Sequence, residues 1–399
     1  MRYLNLLLII FLSISWVRNI DPEKYTNNEI INLDVDKLIS YENKPVLFSN
    51  LFSNFHIIPL ETRKECVFSQ ISNIKLINDT IFILDRMSTK GIYFFTKQGK
   101  FINKIQKIGR GPGEYINVCD FDVEINDNSI LIFVLTWNRR INIYNTNGSF
   151  IKDLKLEDYF SSLSVTSDGI FLFRSFPSQD SKDDYLIYLI DIKGKIIKKY
   201  LKYSEILQGP MVTAFSPGGN FFESESDVKF QKNYCNSIYS INKKALQPFI
   251  TLNSNRYIIS EKDIELYNKL NSPDNKKDIS KSPLNIEKLS RISGYSENKE
   301  VGFFKFLIGF KEYQTFYFFK TKETICRSKF EDDLSFINPN LFRINNNQLI
   351  AYRVPVHIDK FIENVKAGKL KINEAEKNKL LKINAYDNPI IILYDLKRN

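Results

Sequence analysis

Alternating apolar and polar positions recur along most of this chain and predict strands. Three segments, Asn78–Asp85, Asn126–Val134 and Ser167–Ser175, each combine an Asn/Asp turn with a strongly apolar run. Each is followed by an aromatic run, a glycine-containing turn and a last apolar run. Alternation with period two, interrupted by turn residues, is typical of antiparallel strands joined by hairpins. The pattern therefore predicts an all-β fold.

The same unit repeats at a nearly constant spacing. Its turn glycines, Gly99, Gly148 and Gly194, lie 49 and 46 residues apart. Three or four strands repeated every ~45 residues are typical of β-propeller blades, whereas a β-sandwich lacks this self-similarity. A strand at Phe55–Glu61 and another at Asn388–Lys397 stand at the two ends of the repeats. Pairing of these two strands in one blade would close the ring.

Two segments interrupt the strand pattern. Residues 355–383 have the spacing of two amphipathic helices, with Gly368 as a C-cap. Residues 257–284 are polar, rich in lysine and partly helical in pattern. After both insertions are subtracted, the repeat leaves room for about six blades. We therefore predict a six-bladed β-propeller over 55–399, with a short helical insertion at about 355–383 and a lead-in segment over 16–54.

The first fifteen residues have the pattern of a secretory signal peptide. Arg2 precedes an apolar run, Leu6–Ile14, that is too short for a comfortable membrane span. Ser13 and Ser15 form a small-residue pair before a cleavage point; a buried strand or an uncleaved anchor is the alternative. The first cysteine is Cys66, so an N-terminal lipid anchor is not supported. We expect an exported protein, periplasmic or at the cell surface, without a transmembrane segment in the mature chain.

Composition agrees with a β-rich fold and narrows the functional classes. Aromatic residues make up 14% of the chain, and 32 phenylalanines and 21 tyrosines favour strands. The formal net charge of +10 is spread along the chain rather than clustered, which argues against a nucleic-acid partner. The four cysteines form no CxxC pair, so no zinc site of that type is expected. Buried free thiols are expected, with a disulfide left open for an exported chain.

The glycine-rich stretch Ile108–Tyr115, IGRGPGEY, raises the question of a phosphate-binding loop. It lacks the lysine and hydroxyl of a Walker loop, and a strand-like segment follows it where a dinucleotide site needs a helix. We interpret it as a turn between two blades, in which glycine permits positive φ. Arg110 and Glu114 either pair across this turn or face the channel mouth, and with Tyr115 they are candidate ligand-binding residues. No cofactor is predicted.

A second candidate ligand-binding group occupies the loop TWNRR. Trp137, Arg139 and Arg140 combine an indole with two guanidiniums. Such a group can stack on a sugar ring or hold an anion. The alternative is that Trp137 only covers a blade edge.

The segment CDFDVE places three carboxylates at alternating positions. Asp120, Asp122 and Glu124 share one face of a strand. They are the only metal candidates, for a hard cation, and could also supply acid and base for glycoside cleavage. A catalytic pair usually comes from separate elements, so we favour carboxylates that line a wet axial channel or pair with lysines. With two histidines in the chain, neither a metal site nor a catalytic triad is predicted.

Four stretches resemble a family of exported six-bladed β-propellers of unknown function from anaerobic gut bacteria, similar to NHL propellers. They are Ile58–Thr62, Ile71–Asp85, Phe94–Tyr115 and Asp387–Lys397. The resemblance implies the fold and export, but no catalytic residues. Members of that family commonly carry a lipoprotein cysteine at the cleavage point, from which this sequence departs.

These observations favour a binding or scaffold protein of the cell envelope over an enzyme. Its ligand is unknown, with a carbohydrate, a peptide or an envelope protein as the expected partner classes. The alternative is a lyase or glycan-cleaving hydrolase with its site at the channel mouth, which needs convergent polar residues from several blades.

Overall fold

The computed structural model is a ring of six antiparallel sheets, which confirms the predicted six-bladed propeller. It describes residues 30–397, apart from 43, 127–128, 176–183, 203–218, 225–226, 261, 264 and 267–286. The predicted signal peptide over 1–15 and most of the lysine-rich segment over 257–284 lie outside the described residues.

Each blade is built on four strands, which in blades 1 to 5 follow chain order from the innermost outward. Two strands precede the blades, β1 (Ile31–Asp34) and β2 (Phe52–Pro59). Blade 1 contains β3 (Asn73–Ile77), β4 (Thr80–Asp85), β5 (Gly91–Thr96) and β6 (Phe101–Ile105). Blade 2 contains β7 (Val118–Asn126), β8 (Ser129–Thr136), β9 (Arg140–Asn145) and β10 (Phe150–Lys155). Blade 3 contains β11 (Ser162–Thr166), β12 (Gly169–Phe173), β13 (Tyr185–Ile190) and β14 (Ile196–Lys202).

The second half of the ring follows the same plan. Blade 4 contains β15 (Phe221–Glu223), β16 (Val228–Phe230), β17 (Ser237–Ile241) and β18 (Leu246–Asn253). Blade 5 contains β19 (Leu289–Glu297), β20 (Val301–Ile308), β21 (Lys311–Phe318) and β22 (Thr324–Arg327). Blade 6 contains β23 (Asn340–Asn345), β24 (Gln348–Arg353) and β25 (Ile390–Leu396), and β2 completes it as the outermost strand.

Blade 6 closes the ring with strands from both ends of the described chain. β2 pairs antiparallel with β25, and Ile57 and Ile58 lie opposite Ile392 and Ile391. This is the pairing that the sequence predicts for its two terminal strands. It leaves no unpaired edge between the last blade and the first.

The lead-in segment packs along the outside of the ring. β1 pairs in parallel with β18 and adds a fifth strand to blade 4. Helix α1 (Val35–Ser40) then lies against β22 of blade 5, and α2 (Phe48–Leu51) leads directly into β2. The first strand of the closing pair therefore begins at Phe52.

Two further helices lie between β24 and β25, as the sequence predicts. They are α3 (Asp359–Lys366) and α4 (Glu374–Leu380). Their apolar side chains Phe361, Val365 and Leu380 join the core cluster around β25 of blade 6. An Asn373–Glu376 capping box starts α4.

The apolar core lies between neighbouring blades, which explains the nearly continuous apolar runs of the central strands. Ile81 and Ile83 of β4 pack toward blade 6, while Phe82 and Leu84 of the same strand pack toward blade 2. A strand buried on both faces needs apolar residues at every position. The four cysteines are free thiols, and Cys66, Cys119 and Cys326 are buried.

Antiparallel strands divide the loops between two faces of the ring. One face, which we call the linker face, carries the connections between blades and the turns between the second and third strands. The opposite face, called here the cavity face, carries the turns between the first and second strands and between the third and fourth.

The IGRGPGEY stretch is the linker from blade 1 to blade 2. Of its glycines only Gly113 has a positive φ, +70°. Tyr144 donates a hydrogen bond to the Gly113 carbonyl (2.5 Å), and the Glu114 carboxylate accepts one from the Gly111 amide (2.8 Å). The buried Tyr115 hydroxyl lies 2.9 and 3.1 Å from the carbonyl oxygens of Lys90 and Ile105. The stretch is thus a fixed inter-blade turn.

Gly113→Ala tests how far this turn depends on glycine. A Cβ at this position would lie 2.5 Å from the Phe150 ring in addition to the positive φ, so we expect a loss of about 2–4 kcal/mol in the free energy of unfolding. Gly368→Ala is the matched control, because Gly368 has a φ of +68° but no atom within 4 Å of a Cβ. It should cost about 1 kcal/mol. Equal losses in urea unfolding would show that the Phe150 contact is unimportant.

Candidate functional site

A cavity of about 900 Å³ lies on the propeller axis and opens at the cavity face. All six blades contribute to its walls, mainly through their innermost strands. Its lining includes charged side chains, amides and five phenylalanines. The residues used below are Asn73, Lys75, Asp120, Asp122, Phe222, Glu223, Asp227, Lys229, Phe249, Glu297, Lys299, Glu300, Phe319 and Arg343.

The Asp120 carboxylate of the cavity wall is only 3% exposed. It accepts hydrogen bonds from the Asn73 amide (3.0 Å) and the Ser162 hydroxyl (2.6 Å), so strands β3, β7 and β11 are tied together at one point. Burial raises the pKa of Asp120, although these hydrogen bonds act in the opposite direction. The hydrogen bonds satisfy a carboxylate that the fold has removed from water.

Two residues along β7, Asp122 joins blades 1, 2 and 3. Its side chain is ion-paired with Lys75 of β3 and accepts a hydrogen bond from the Val165 amide of β11 (2.8 Å). Breaking such a buried pair from one side is costly because it leaves an isolated charge. The pair therefore holds the innermost strands in register around the axis.

Arg343 of β23 supplies a second cation on the blade 6 side. Its guanidinium donates to the Ile74 carbonyl (3.3 Å) and lies over the Phe222 ring at 5.7 Å. Burial lowers the pKa of Arg343 to about 10, with Asp120 and Asp122 acting in the opposite direction. The guanidinium stays charged at neutral pH and balances part of the negative charge of β7.

A separate charge cluster lies between blades 4 and 5. Lys229 is ion-paired with Asp227, lies 3.4 Å from Glu297 and sits 4.3 Å from the centre of the Phe249 ring. Asp227 also accepts a hydrogen bond from Ser240. One lysine is thus shared by two carboxylates, and these contacts fix that wall of the cavity.

Glu223, the last residue of β15, differs from these groups. Its carboxylate is exposed to the cavity and makes no hydrogen bond or ion pair with any residue that the structure describes. The partial removal of Glu223 from bulk water inside the cavity raises its pKa to about 7. The negative charges of Asp122 and Glu124 act in the same direction, and the positive charge of Lys75 acts against them. Glu223 is therefore about half ionised at neutral pH.

Glu223→Gln tests this environment through stability. Because the folded-state pKa lies above the usual value of about 4.3, the ionised carboxylate destabilises the fold, and wild-type stability falls as pH rises from about 4 to about 7. The variant should therefore melt about 1–2 °C above the wild type at pH 8 and gain little at pH 4.5. Glu300→Gln, at the exposed rim, is the control with no expected change. A pH-independent difference in Tm would contradict the assignment.

The structure brings only part of the predicted acidic group into the cavity. Asp120 and Asp122 line it, whereas Glu124 is half-buried near the end of β7, outside the lining. No group of three or more His, Cys, Asp or Glu side chains within the described ranges is arranged to hold a metal ion.

The predicted aromatic and basic candidates lie on the linker face, away from the cavity. Arg110 is exposed, and Trp137 is 45% exposed. Arg139 lies over the Tyr159 ring at 5.2 Å, and Arg140 is ion-paired with Asp153. Glu114 is held within its own turn. These side chains are a second candidate surface, separate from the axis.

Tyr115 is the exception among these candidates, and its prediction is corrected by the structure. Its side chain is fully buried between blades 1 and 2, within the core cluster that contains Phe94 and Val134. Burial also raises the pKa of its hydroxyl strongly. Tyr115 is therefore a core residue that anchors the linker rather than a surface ligand contact.

Sequence reasoning did not identify Lys75, Glu223, Lys229, Glu297 or Arg343. A usable signal exists for two of them. Lys75 interrupts the apolar run NIKLI, and Arg343 interrupts LFRI. A charge inside the first strand of a propeller repeat is expected to face the axis, where water and opposite charges are available. Glu223, Lys229 and Glu297 lie in a part of the sequence where the repeat pattern is too weak to show which strand contains each of them.

Comparison with known proteins supports the fold. A crystal structure from Bacteroides fragilis NCTC 9343, named "Putative exported protein", matches with a TM-score of 0.73 and 18% identity over 93% of this chain and 100% of that chain. A structure of U3-55K has a TM-score of only 0.43 at 9% identity, covering 75% of this chain and 77% of that one, which is too low to carry an argument. No curated protein matches the sequence.

Within the described part of the chain, no helix is long and apolar enough to cross a membrane. The family resemblance predicted from the sequence is confirmed, since a family model described as a domain of unknown function, DUF4934, matches residues 30–395. The chain therefore belongs to the DUF4934 family, a family of unknown function.

Proposed function

We propose that this protein is an exported propeller that binds a small polar ligand, a carbohydrate or a peptide, in the axial cavity. The carrying observation is one cavity of about 900 Å³ whose walls come from six blades and combine charges, amides and aromatic rings. Ligand sites are typically concave, partly apolar and equipped with a few placed polar groups. A volume of this size accommodates a di- or trisaccharide or a short peptide.

The rigidity of the walls supports binding at this site. Asp120, Asp122 and Asp227 are held by hydrogen bonds or ion pairs from other strands, so they keep their positions without a ligand. A preformed site avoids the cost of ordering side chains on binding. At the rim, the half-buried Phe319 offers a ring on which a sugar or an apolar side chain can pack.

Export rests on separate observations. The first fifteen residues have the pattern of a signal peptide. The similar crystal structure from Bacteroides fragilis carries the name of an exported protein. A location in the periplasm or at the cell surface would bring the cavity into contact with envelope glycans and peptides.

Docking of an envelope protein on the linker face is a second candidate function. Large apolar side chains are exposed on this face more than on the opposite one. They include Val67, Met87, Ile108, Ile116, Trp137, Tyr159, Phe310 and Tyr386. Exposed apolar groups of this kind are typical of protein interaction surfaces.

A glycan and peptide array with the purified protein tests the proposal and separates the two faces. Ligands of the cavity should bind about tenfold more weakly to Phe319→Ala, because the rim loses its ring. Trp137→Ala, on the linker face, should leave their affinity unchanged, and titration calorimetry measures both.

If Trp137→Ala weakens binding and Phe319→Ala does not, the ligand lies on the linker face and the cavity assignment is overturned. If both variants bind the ligand as tightly as the wild type does, both surfaces are excluded. Cleavage of a bound glycan, detected by mass spectrometry, would replace the binding function with the lyase or hydrolase alternative.

A further inference from the structure

The charge of the cavity differs in sign from that of the whole chain. Its lining contains six carboxylates and four basic groups, whereas the chain carries a net charge of +10. A negative cavity within a basic protein concentrates cations at the site and repels anions. The net negative charge of the lining does not by itself define a ligand. Whether a carboxylate is available to a ligand depends on the partners that it already has within the protein.

Most of the carboxylates already have partners within the protein. Asp122 and Asp227 are ion-paired with lysines, and Asp120 is held by Asn73 and Ser162. Glu297 lies 3.4 Å from Lys229 and accepts a hydrogen bond from Tyr295. Glu300 is exposed in the turn that follows β19. Away from the exposed turn, Glu223 is thus the cavity carboxylate that makes no hydrogen bond or ion pair with the described residues, and Lys75 acts on it only from a distance.

A second acceptor borders the same space. Asn73 is 3% exposed, and its Nδ2 donates to Asp120. This donation fixes the orientation of the amide, since the reversed amide would place an oxygen against the carboxylate. The Asn73 Oδ1 atom accepts no hydrogen bond within the described part of the chain. A buried acceptor without a donor is costly, and a ligand with N–H or O–H groups relieves that cost.

From this geometry we infer that the cavity recognises a ligand through a protonated amine that pairs with Glu223. The inference rests on the proposed function, because it specifies the chemistry of the same cavity. An ammonium carries the charge that Glu223 lacks and three donors. The phenylalanine ring at position 319 accommodates the apolar part of the ligand at the rim.

A metal ion is a poorer match for this carboxylate than an amine. Ca²⁺ takes six to eight oxygen ligands, usually including several carboxylates. The neighbouring Asp122 and Asp227 are already engaged with lysines, so too few free carboxylates remain beside Glu223 to complete such a site. An ammonium needs only one such partner and a few acceptors.

An amine can come from a lysine-containing peptide or from an amino sugar, and two matched pairs of probes distinguish these sources. The first pair is an acetyl-Gly-Lys-Gly-amide peptide and its Nε-acetyl-lysine form. The second pair is a β-1,4-linked glucosamine trisaccharide and its N-acetylated form. Acetylation removes the charge and keeps the rest of each molecule, so each pair isolates the ammonium group.

Binding of the four probes is measured by calorimetry at pH 7, where both the amino sugar and Glu223 are partly charged, with the wild type, Glu223→Gln and Glu300→Gln. We expect the amine member of at least one pair to bind at least about tenfold more tightly than its acetylated form. Glu223→Gln should abolish that preference, and Glu300→Gln should retain it. Circular dichroism and Tm verify that each variant is folded.

The lysine peptide also allows a pH test, because its ammonium stays charged from pH 6 to 8. Glu223 becomes ionised over this interval, so affinity for the wild type should rise with pH and affinity for Glu223→Gln should not. If the amino sugar alone binds, loss of its preference over the acetylated form in Glu223→Gln is the corresponding test.

The charged side chains that border the cavity with Glu223 are Lys75, Asp120, Asp122, Asp227, Lys229, Glu297, Lys299, Glu300 and Arg343, with Glu124 close by.

The outcomes separate this inference from the proposed function. Equal binding of amine and acetylated forms, or an unchanged preference in Glu223→Gln, overturns the amine inference while the cavity remains a binding site. If no probe binds but uncharged array ligands bind in a way that Phe319→Ala weakens, the inference is wrong and the function stands. If the cavity variants change the binding of neither the probes nor the array ligands, the amine inference and the proposed function are both wrong.

Discussion

Antiparallel pairing of β2 with β25 closes the ring, and the central cavity depends on that closure. An open row of blades would expose the apolar faces of its first and last sheets, which pack on each other in the ring, and would allow the innermost strands to separate. With the ring closed, six innermost strands meet around one axis, and their inward side chains share a small volume. Asp120, Asp122 and Arg343 come from blades at opposite ends of the repeat series, yet they act on each other electrostatically because of this geometry.

The crowding of inward side chains also explains the chemistry of the axis. Carboxylates removed from water need hydrogen-bond donors or counter-charges. Side chains of β3 and β11 supply these donors and counter-charges to the carboxylates of β7. These polar links stabilise the contact between blades where apolar packing is thinnest. Glu223 lacks such a link, which makes it the group through which the cavity is open to a ligand.

The sequence predicted the architecture in detail because propeller blades repeat their local signals. Alternation, turn glycines and a constant period act within each unit and need no long-range information. The IGRGPGEY stretch illustrates this local control, since the Glu114 carboxylate accepts a hydrogen bond from the Gly111 amide within the turn. The same stretch shows its limit, because local residue chemistry could not reveal that Tyr115 is buried between two blades.

The sequence by itself determined the strands of the repeats, the closing pair, the helices between β24 and β25 and the inward position of two of the three β7 carboxylates, Asp120 and Asp122. Only the tertiary structure decided which side chains share the cavity. Lys75 and Asp122 are 47 residues apart, and Arg343 is more than 200 residues from either, so no local pattern links them. The tertiary structure also placed the tryptophan and arginine loop on the opposite face. The physical reason is that a repeat fixes its own hydrogen bonds locally, whereas the charge balance of an axis is a property of the whole closed ring.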